Sequence, residues 1–436
     1  VTTTVYEADW VVPVEGEPVR DGGVAVADGR VVAVGPAGAL EGERRRFPEA
    51  AIVPGFVNAH SHLEYAVYAG FGDGFSFAPW IGLHVTRKQR LLDGDAVAIA
   101  RLGAAECLRS GITTVGDASF SGAAAAACAG LGLRAVVYLE IFGDDPAAAL
   151  ARFGELRQEV DGFLSAAIRP GVSPHAPYTT SPDVYEAAAG LGLPIATHLA
   201  ESDAEQEWLL AGTGPMAEAA DLLVAPPGAT GIRTLAERGL LGPGVLAAHC
   251  VHVDAEEIEL LAGHDVAVAH CPRSNAVLGC GAAPLVDLVA SGARVGLGTD
   301  SPASTPSFDL FEEMRAAVYT ARARERRGDA LSASAALELA TLGSARALGL
   351  EAETGSLAVG KRADLAVVSL AGSPFLPWED PAAAVVFGGS PERVLLTLVD
   401  GETRYEKGGF EWHELRRSGS AARARLLNEA PPAPKT

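Results

Sequence analysis

Two textures of apolar and polar residues divide the chain. Residues 4 to 53 run as short β-like stretches, TVYEADWVVPV, GGVAVADGRVVAVG and AIVPG, separated by turn signals. The Asp28–Gly29 pair between two such runs predicts a hairpin. The same texture returns in KRADLAVVSL and RVLLTLVDGETRY, so both ends are expected to build one small β domain. Between them, apolar β-like runs alternate with Ala/Leu-rich helical stretches such as AVAIARLGAAECLRS and DPAAALARFGELRQEV. That is the pattern of a parallel sheet with crossover helices. Eight runs can be counted: FVNAHSH, GITTVGDAS, LRAVVYLEI, IRPGVSPHAP, PIATHLAES, VLAAHCVHV, VAVAHCPRSN and RVGLGTDSP. Eight β/α units over about 300 residues predict a closed barrel. The expected fold is therefore α/β: a (β/α)8 TIM-like barrel over residues 56–357, with a small β-sandwich domain from residues 1–55 and 358–420. The Pro-rich end, 421–436, is expected to be a mobile tail. No GxGxxG opens a strand-to-helix turn, which argues against a doubly wound sheet.

The polar residues within these runs fall toward their C-terminal ends. His62 ends the first run, Asp117 the second, His175 the fourth, His198 and Glu201 the fifth, and His249 the sixth. His270 and Asp300 close the last two. Six of the ten histidines (His60, His62, His175, His198, His249 and His270) sit at these strand ends. In a barrel, that face carries the active site. Taken singly, each has an ordinary explanation: a strand-end His is commonly structural, an Asp before Ser-Pro is a turn or cap, and Glu201 suits a helix start. Their convergence on one face is what favours function. His84, His252, His264 and His413 lack that convergence and receive no role.

The residue types suggest a metal-assisted reaction. His60 and His62 alternate on one strand and project to one face. With His198 and Asp300 they supply three neutral imidazoles and a carboxylate, a set suited to one divalent ion, zinc first and iron(II) second. A metal with an open position lowers the pKa of water toward neutrality and so furnishes a nucleophile. Asp300 can take the water proton, Glu201 suits proton transfer to the substrate, and His249 suits polarisation of the attacked group. The aromatic-rich stretch GFGDGFSFAPWI after the first strand reads equally as a lid or as packing, and its Trp80 is the candidate to stack on a flat substrate. His175 and Ser304 are further candidate substrate contacts.

Composition narrows the setting. A formal net charge of −21 excludes a nucleic-acid backbone as the expected partner, leaving a small-molecule substrate. No apolar run is long enough for a membrane span, and the first residues lack the regions of a signal peptide, so a cytoplasmic location is expected. The five dispersed cysteines, with no CxxC, read as free thiols. A homo-oligomer is compatible with the sequence, although no interface can be read from it.

In order, PGFVNAHSHLE, SPHAPYTTS, THLAES, AAHCVHVD, HCPRSNAVLGCG and GLGTDSPAS resemble the signature motifs of the amidohydrolase superfamily, in its cytosine deaminase-like or ATZ/TRZ branch. GSLAVGKRADLAVVSL is similar to that family's return to its β-sandwich. The resemblance implies a mononuclear metal site at His60, His62, His198 and Asp300, with Glu201 and His249 as the acid/base pair. Two-metal relatives use a carboxylated lysine after the fourth strand. Lys88 is the one lysine between residues 56 and 357, which argues against that arrangement. HSHLE with the Phe-rich run and PWI resembles aminodeoxyfutalosine deaminases of the menaquinone pathway. Methylthioadenosine/S-adenosylhomocysteine deaminases carry a ribose-binding Glu nine residues after the Trp. Here that position is Gln89, which can still hydrogen-bond a ribose hydroxyl. The resemblance thus implies deamination of an adenine-like ring. The rival readings are a triazine chlorohydrolase, a cyclic amide hydrolase and a non-catalytic binding relative.

Overall fold

The structure, a computed structural model, describes residues 2–372 and 379–427. The first texture forms strands β1 (Thr4–Val11), β2 (Val19–Ala27), β3 (Arg30–Pro36) and β4 (Glu43–Pro54). Asp28 and Gly29 form the expected two-residue hairpin loop, both with positive φ, at 49° and 73°. The barrel follows: β5 (Phe56–Ser61), β6 (Ile112–Ser119), β7 (Arg134–Ile141), β8 (Ile168–Pro174), β9 (Ile195–Leu199), β10 (Val245–His249), β11 (Ala267–His270) and β12 (Arg294–Leu297). Each of the eight strands falls within one of the eight apolar runs of the sequence. The chain then returns as β13 (Leu365–Ser369), β14 (Val394–Val399) and β15 (Glu402–Glu406).

The barrel strands pair in parallel in sequential order from β5 to β12. β6 and β7 are buried along their whole length, as expected when helices cover one side and a packed interior the other. Val57, Ala59, Val136, Tyr138, Ala196, Ala267 and Ala269 form one interior cluster, joined by Leu348 and Leu350. The ring closes where Asp300, just past β12, donates its backbone N–H to the carbonyl of His60 at 3.0 Å. Asn58 and Thr299 reinforce this seam with two hydrogen bonds of 2.7 and 2.9 Å. Gly298 is required here, because a Cβ on it would lie 2.8 Å from the His60 Cβ.

Both ends of the chain build one seven-stranded sheet, in the order β15-β14-β13-β4-β1-β2-β3. It curls around its own core of Tyr6, Val24, Val31, Ile52, Leu365, Val367, Leu396 and Leu398. Arg134, at the start of β7, locks this sheet to the barrel. It is buried and reaches Asp364 at 3.2 Å and Asp400 at 2.8 Å. Asp364 also accepts from the Thr354 hydroxyl and the Asp400 N–H.

One expectation is corrected. Residues 413–427 form a helix, with Leu415, Ala422 and Leu426 buried on one face, so 421–427 are no mobile tail. Leu426 packs with Val67, Tyr68, Phe71 and Ile99, while Arg423 caps the carbonyls of Val67 and Ala69. The interleaved arginines disguise this apolar stripe in the sequence. The remainder of that segment lies outside the described residues. Among the described residues no helix is long and apolar enough to cross a membrane.

Removing Arg134 alone strands a buried carboxylate. Arg134→Met should cost about 3–5 kcal/mol of unfolding free energy, read as a lower urea midpoint. The double variant with Asp364→Leu should recover much of that loss. A single-variant loss under about 1 kcal/mol, the level of a surface pair, would mean that this pair does not lock the domains.

Candidate active site

The strand ends bring the histidines together. Ligand-type atoms of His60, His62 and His198 lie within 4.8 Å of one another, as do those of His60, His249 and Asp300. The tautomers are set from behind. His62 Nδ1 lies 3.0 Å from the Ala118 carbonyl and His198 Nδ1 lies 2.7 Å from the His175 carbonyl. A carbonyl only accepts, so each Nδ1 carries a proton and each Nε2 is the nitrogen aimed at the site. Those two Nε2 atoms are 3.3 Å apart, and His62 Nε2 is 3.4 Å from Asp300 Oδ1. The His60 Nε2 is buried without a partner. Burial, reinforced by the neighbouring imidazoles, pushes His60 and His198 well below the usual histidine range, so both are neutral. Imidazole nitrogens facing one another and a carboxylate make a set that could hold a cation. The spacing suits one: tetrahedral ligands at about 2.0–2.1 Å are about 3.4 Å apart.

Glu201 and His249 face the same space, with His249 Nε2 3.6 Å from Glu201 Oε1. Burial, then Asp300 and Glu205, push Glu201 well above the carboxylate range, so it can carry a proton at neutral pH. His249 is buried, and its Nδ1 lies 2.9 Å from Asn275 Oδ1, an acceptor that turns the Nε2 lone pair toward the site. Asp300 Oδ2 is held by the hydroxyls of Ser274 at 2.6 Å and Ser304 at 2.9 Å. Several strand-end residues adopt the left-handed conformation: Ala200 at φ 53°, His249 at 76°, Cys250 at 47° and Asp300 at 55°. Glu205 holds one such turn by accepting the N–H groups of Ala200 and Glu201 at 2.9 and 2.6 Å.

With this geometry in view, the comparisons are consistent. Residues 51–404 match the model of the amidohydrolase family. The chain belongs to the amidohydrolase family. It is accordingly a hydrolase acting on C–N bonds. It is 34% identical over 411 residues to a 5-methylthioadenosine/S-adenosylhomocysteine deaminase of Moorella thermoacetica, covering 91% of this chain and 93% of that protein. It is 33% identical over 370 residues to a 5'-deoxyadenosine deaminase of Methanothermobacter thermautotrophicus, covering 83% of each. Its structure resembles that of a zinc-bound adenosine deaminase from Xanthomonas campestris, with a TM-score of 0.84, 29% identity, and coverage of 97% of this chain and 98% of that one.

Around this amidohydrolase centre the other expected residues separate. The His175 ring lies 4.7 Å from that of His198, with Nδ1 2.7 Å from the Thr179 hydroxyl. Trp80 belongs to a helix, Phe77–Lys88, that packs across the barrel mouth. Its indole N–H is spent on the Ala303 carbonyl at 3.1 Å, so Trp80 seats the helix rather than offering a free polar edge. Ser304 lies behind Asp300, its hydroxyl used on that carboxylate. Gln89 does not join the cluster. It is exposed at the helix C-terminus, because the next residue round a helix is turned by about 100°, and Lys88 takes the inward position. Lys88 Nζ bonds the Tyr65 hydroxyl at 3.0 Å and lies 3.3 Å from the centre of the Phe120 ring. His84, given no role, is buried against Tyr68 and Trp80, with neither nitrogen paired among the described residues.

Sequence reasoning missed Asn275, Ser274 and Glu205. SDAE, with Ser202 capping the helix Asp203–Ala211, carried a capping signal for Glu205. Nothing in the sequence aimed Asn275 at His249. Asp117, noted only as a strand-end carboxylate, accepts from the Ser61 hydroxyl at 2.9 Å and the Leu63 N–H at 2.7 Å, bracing the chain on both sides of His62.

Two outcomes are expected. Chelation should abolish hydrolysis and lower the melting temperature, and divalent metal should restore both. At a thousandfold excess over Kd the bound ion is worth about 4 kcal/mol. His62→Ala should show neither response, and a metal content equal to wild type would exclude His62 as a ligand. Asn275→Leu should lower activity by about 10–100-fold with metal content unchanged. Full activity would show that His249 needs no support from that side chain.

Proposed function

We propose that this amidohydrolase deaminates the adenine ring of a nucleoside derivative. The observation that carries the reading is the buried Glu201 carboxyl, its pKa raised by burial, facing His249 beside His60, His62, His198 and Asp300. A deaminase needs a group that gives a proton to the ring as water adds, and a buried carboxyl with a raised pKa is such a group. The names of the similar proteins, deaminases of adenosine-type nucleosides, support the same class.

In this reading His60, His62, His198 and Asp300 hold one divalent ion, zinc first, supported by the zinc in the similar adenosine deaminase, and iron(II) second. When bound, that ion lowers the pKa of water and stabilises developing negative charge. The remaining steps belong to the side chains. Asp300 receives a proton from the attacking water, and His249 orients that water toward C6 of the purine. Glu201 gives its proton to the adjacent ring nitrogen, so the ring accepts the addition without building up charge. Proton return to the exocyclic nitrogen breaks the C6–N bond. Ammonia leaves and a 6-oxo ring remains.

For the substrate, 6-amino-6-deoxyfutalosine is the sharpest reading, which would set the enzyme in menaquinone synthesis. A row of aromatic rings supports it. His198 is followed by His175, Phe142 at 5.0 Å and Phe120 at 6.0 Å, ending on the Lys88 ammonium. Such a row suits a nucleoside whose 5′ side bears an aromatic carboxylate. The second reading, methylthioadenosine or S-adenosylhomocysteine, is favoured by the names of the similar sequences.

Ammonia release by the metal-loaded protein tests the class. The panel is aminodeoxyfutalosine, S-adenosylhomocysteine, methylthioadenosine, adenosine, guanine and cytosine. Turnover of an adenine nucleoside is expected. Chloride release from a triazine, or ring opening without ammonia, would replace the proposal. Glu201→Gln should retain metal and lose about 10²–10⁴ in kcat; normal turnover by that variant would remove Glu201 from the mechanism.

A further inference from the structure

The stretch GFGDGFSFAPWI leads into the helix Phe77–Lys88, and the seating of that helix separates a lid from simple packing. Phe77 packs with Tyr178 after β8, Trp208 after β9 and Leu278 after β11. Trp80 reaches the Ala303 carbonyl, after β12, at 3.1 Å. A helix that follows β5 thus bridges loops from other parts of the ring and crosses the mouth. It is lightly held there. Of its twelve residues only Phe77 and His84 are buried, and the Ser76 side chain before it makes no capping bond.

His84 is the weak point of that seat. Its ring lies against those of Trp80 and Tyr68, with centroids 4.9 and 5.5 Å away. Burial, then Arg87 and Lys88, push it down to about 4, so the ring is neutral at pH 7, with one nitrogen a donor and the other an acceptor. Among the described residues neither nitrogen has a partner, and neither does the buried Tyr68 hydroxyl. Burying polar groups unpaired costs free energy, and lifting the helix would return the imidazole to water. The closed seat therefore carries its own incentive to open.

The two ends of the helix differ in freedom. The C-terminal end is tied by Lys88 to the Tyr65 hydroxyl at 3.0 Å, and just beyond it Arg90 holds the Leu426 carbonyl at 2.9 Å. Upstream, Arg423 holds the carbonyls of Val67 and Ala69. Between that tie and the helix lies Gly74, at φ 81°, where a Cβ would meet no atom within 4 Å. A glycine with nothing packed on it can absorb a change of backbone angle.

We propose that the helix Phe77–Lys88 is a lid over the active site, and that the unpaired His84 keeps its closed state marginal so that product can leave. The N-terminal half lifts about the tied C-terminal end. Lifting breaks the Trp80–Ala303 bond and the Phe77 packing and gives both His84 nitrogens to water. The lid governs access to the site, so it does not depend on which substrate is turned over.

Hydrogen exchange of the metal-loaded protein, without substrate, is the first test. Amides of residues 72–88 should exchange at least about tenfold faster than those of the helix Asp95–Arg109. His84→Leu, which removes both unpaired nitrogens, should slow exchange of 72–88 by about tenfold and melt no lower than wild type. Trp80→Phe, which cuts the bond to Ala303, should speed that exchange. With adenosine as substrate, His84→Leu should lower kcat and KM together, because a lid that stays shut retains product. Exchange of 72–88 as slow as in Asp95–Arg109 would make the stretch packing and overturn the proposal. So would a His84→Leu variant that melts lower and exchanges faster, which would mean that the ring is satisfied in the closed state. Slowed exchange with kcat and KM unchanged would overturn the gating of release. If wild type does not deaminate adenosine, the functional reading loses that substrate, and the exchange results alone decide the lid.

Discussion

The site depends on one backbone hydrogen bond, from the N–H of Asp300 to the carbonyl of His60. It closes the barrel between its first and last strands, and the same two residues aim their side chains at one point. Closure and the meeting of these two side chains are therefore one event. The neighbouring Asn58–Thr299 pair joins residues 241 positions apart in the chain. The entropy of bringing such distant segments together grows only slowly with length, so the seam can be held by a few well-made hydrogen bonds. An ion bound by His60 and Asp300 would itself span the seam. Metal affinity and barrel stability should be thermodynamically linked through it.

Strain is concentrated at the same level. Ala200, His249, Cys250 and Asp300 sit in a conformation that costs a non-glycine residue about 1–3 kcal/mol each. Left to itself, each strand would run on in extended form and carry its side chain past the centre. Bracing counters this: Glu205 holds the turn at Ala200, Cys250 donates its N–H to the Leu199 carbonyl, and two serines grip Asp300. Glu201 and His249 thus face each other because acceptors and donors outside the site hold the backbone there.

Most of the barrel was legible because its code is local. All but the third run showed apolar strand residues followed by a polar terminus, and parallel topology sends those termini to one face. The convergence of the His60–His62 pair, His198 and Asp300 could therefore be expected before any contact was known. What stayed hidden was either rotational or long-range. Whether Lys88 or Gln89 faces inward depends on where the helix Phe77–Lys88 is seated, and Trp80 fixes that through a carbonyl on a loop more than two hundred residues away. Asn275 reaches His249 from the next βα loop, a pairing without sequence spacing. The helix His413–Leu427 stayed hidden, its first part assigned to the β domain and its end to a tail, because four of its first thirteen residues are arginine, which masks the buried stripe of Leu415, Ala422 and Leu426.

That C-terminal helix also bears on the reaction. Its Arg423 holds the carbonyls of Val67 and Ala69, and its Arg425 pairs with Asp95 near the start of the helix Asp95–Arg109. The segment it grips follows directly from His62 and carries Tyr65, the residue that fixes Lys88. The same segment supplies Phe71, stacked under Arg87 and Arg423. The course of residues 67–71 is therefore set in part by the far end of the chain. In a barrel enzyme the metal-facing strand ends constrain the chemistry, while the loops above them are free to vary. Here the loop after the first strand is held from outside, so its position does not rest on the barrel strands alone; if this loop lines the substrate site, less ordering entropy is lost when the substrate enters.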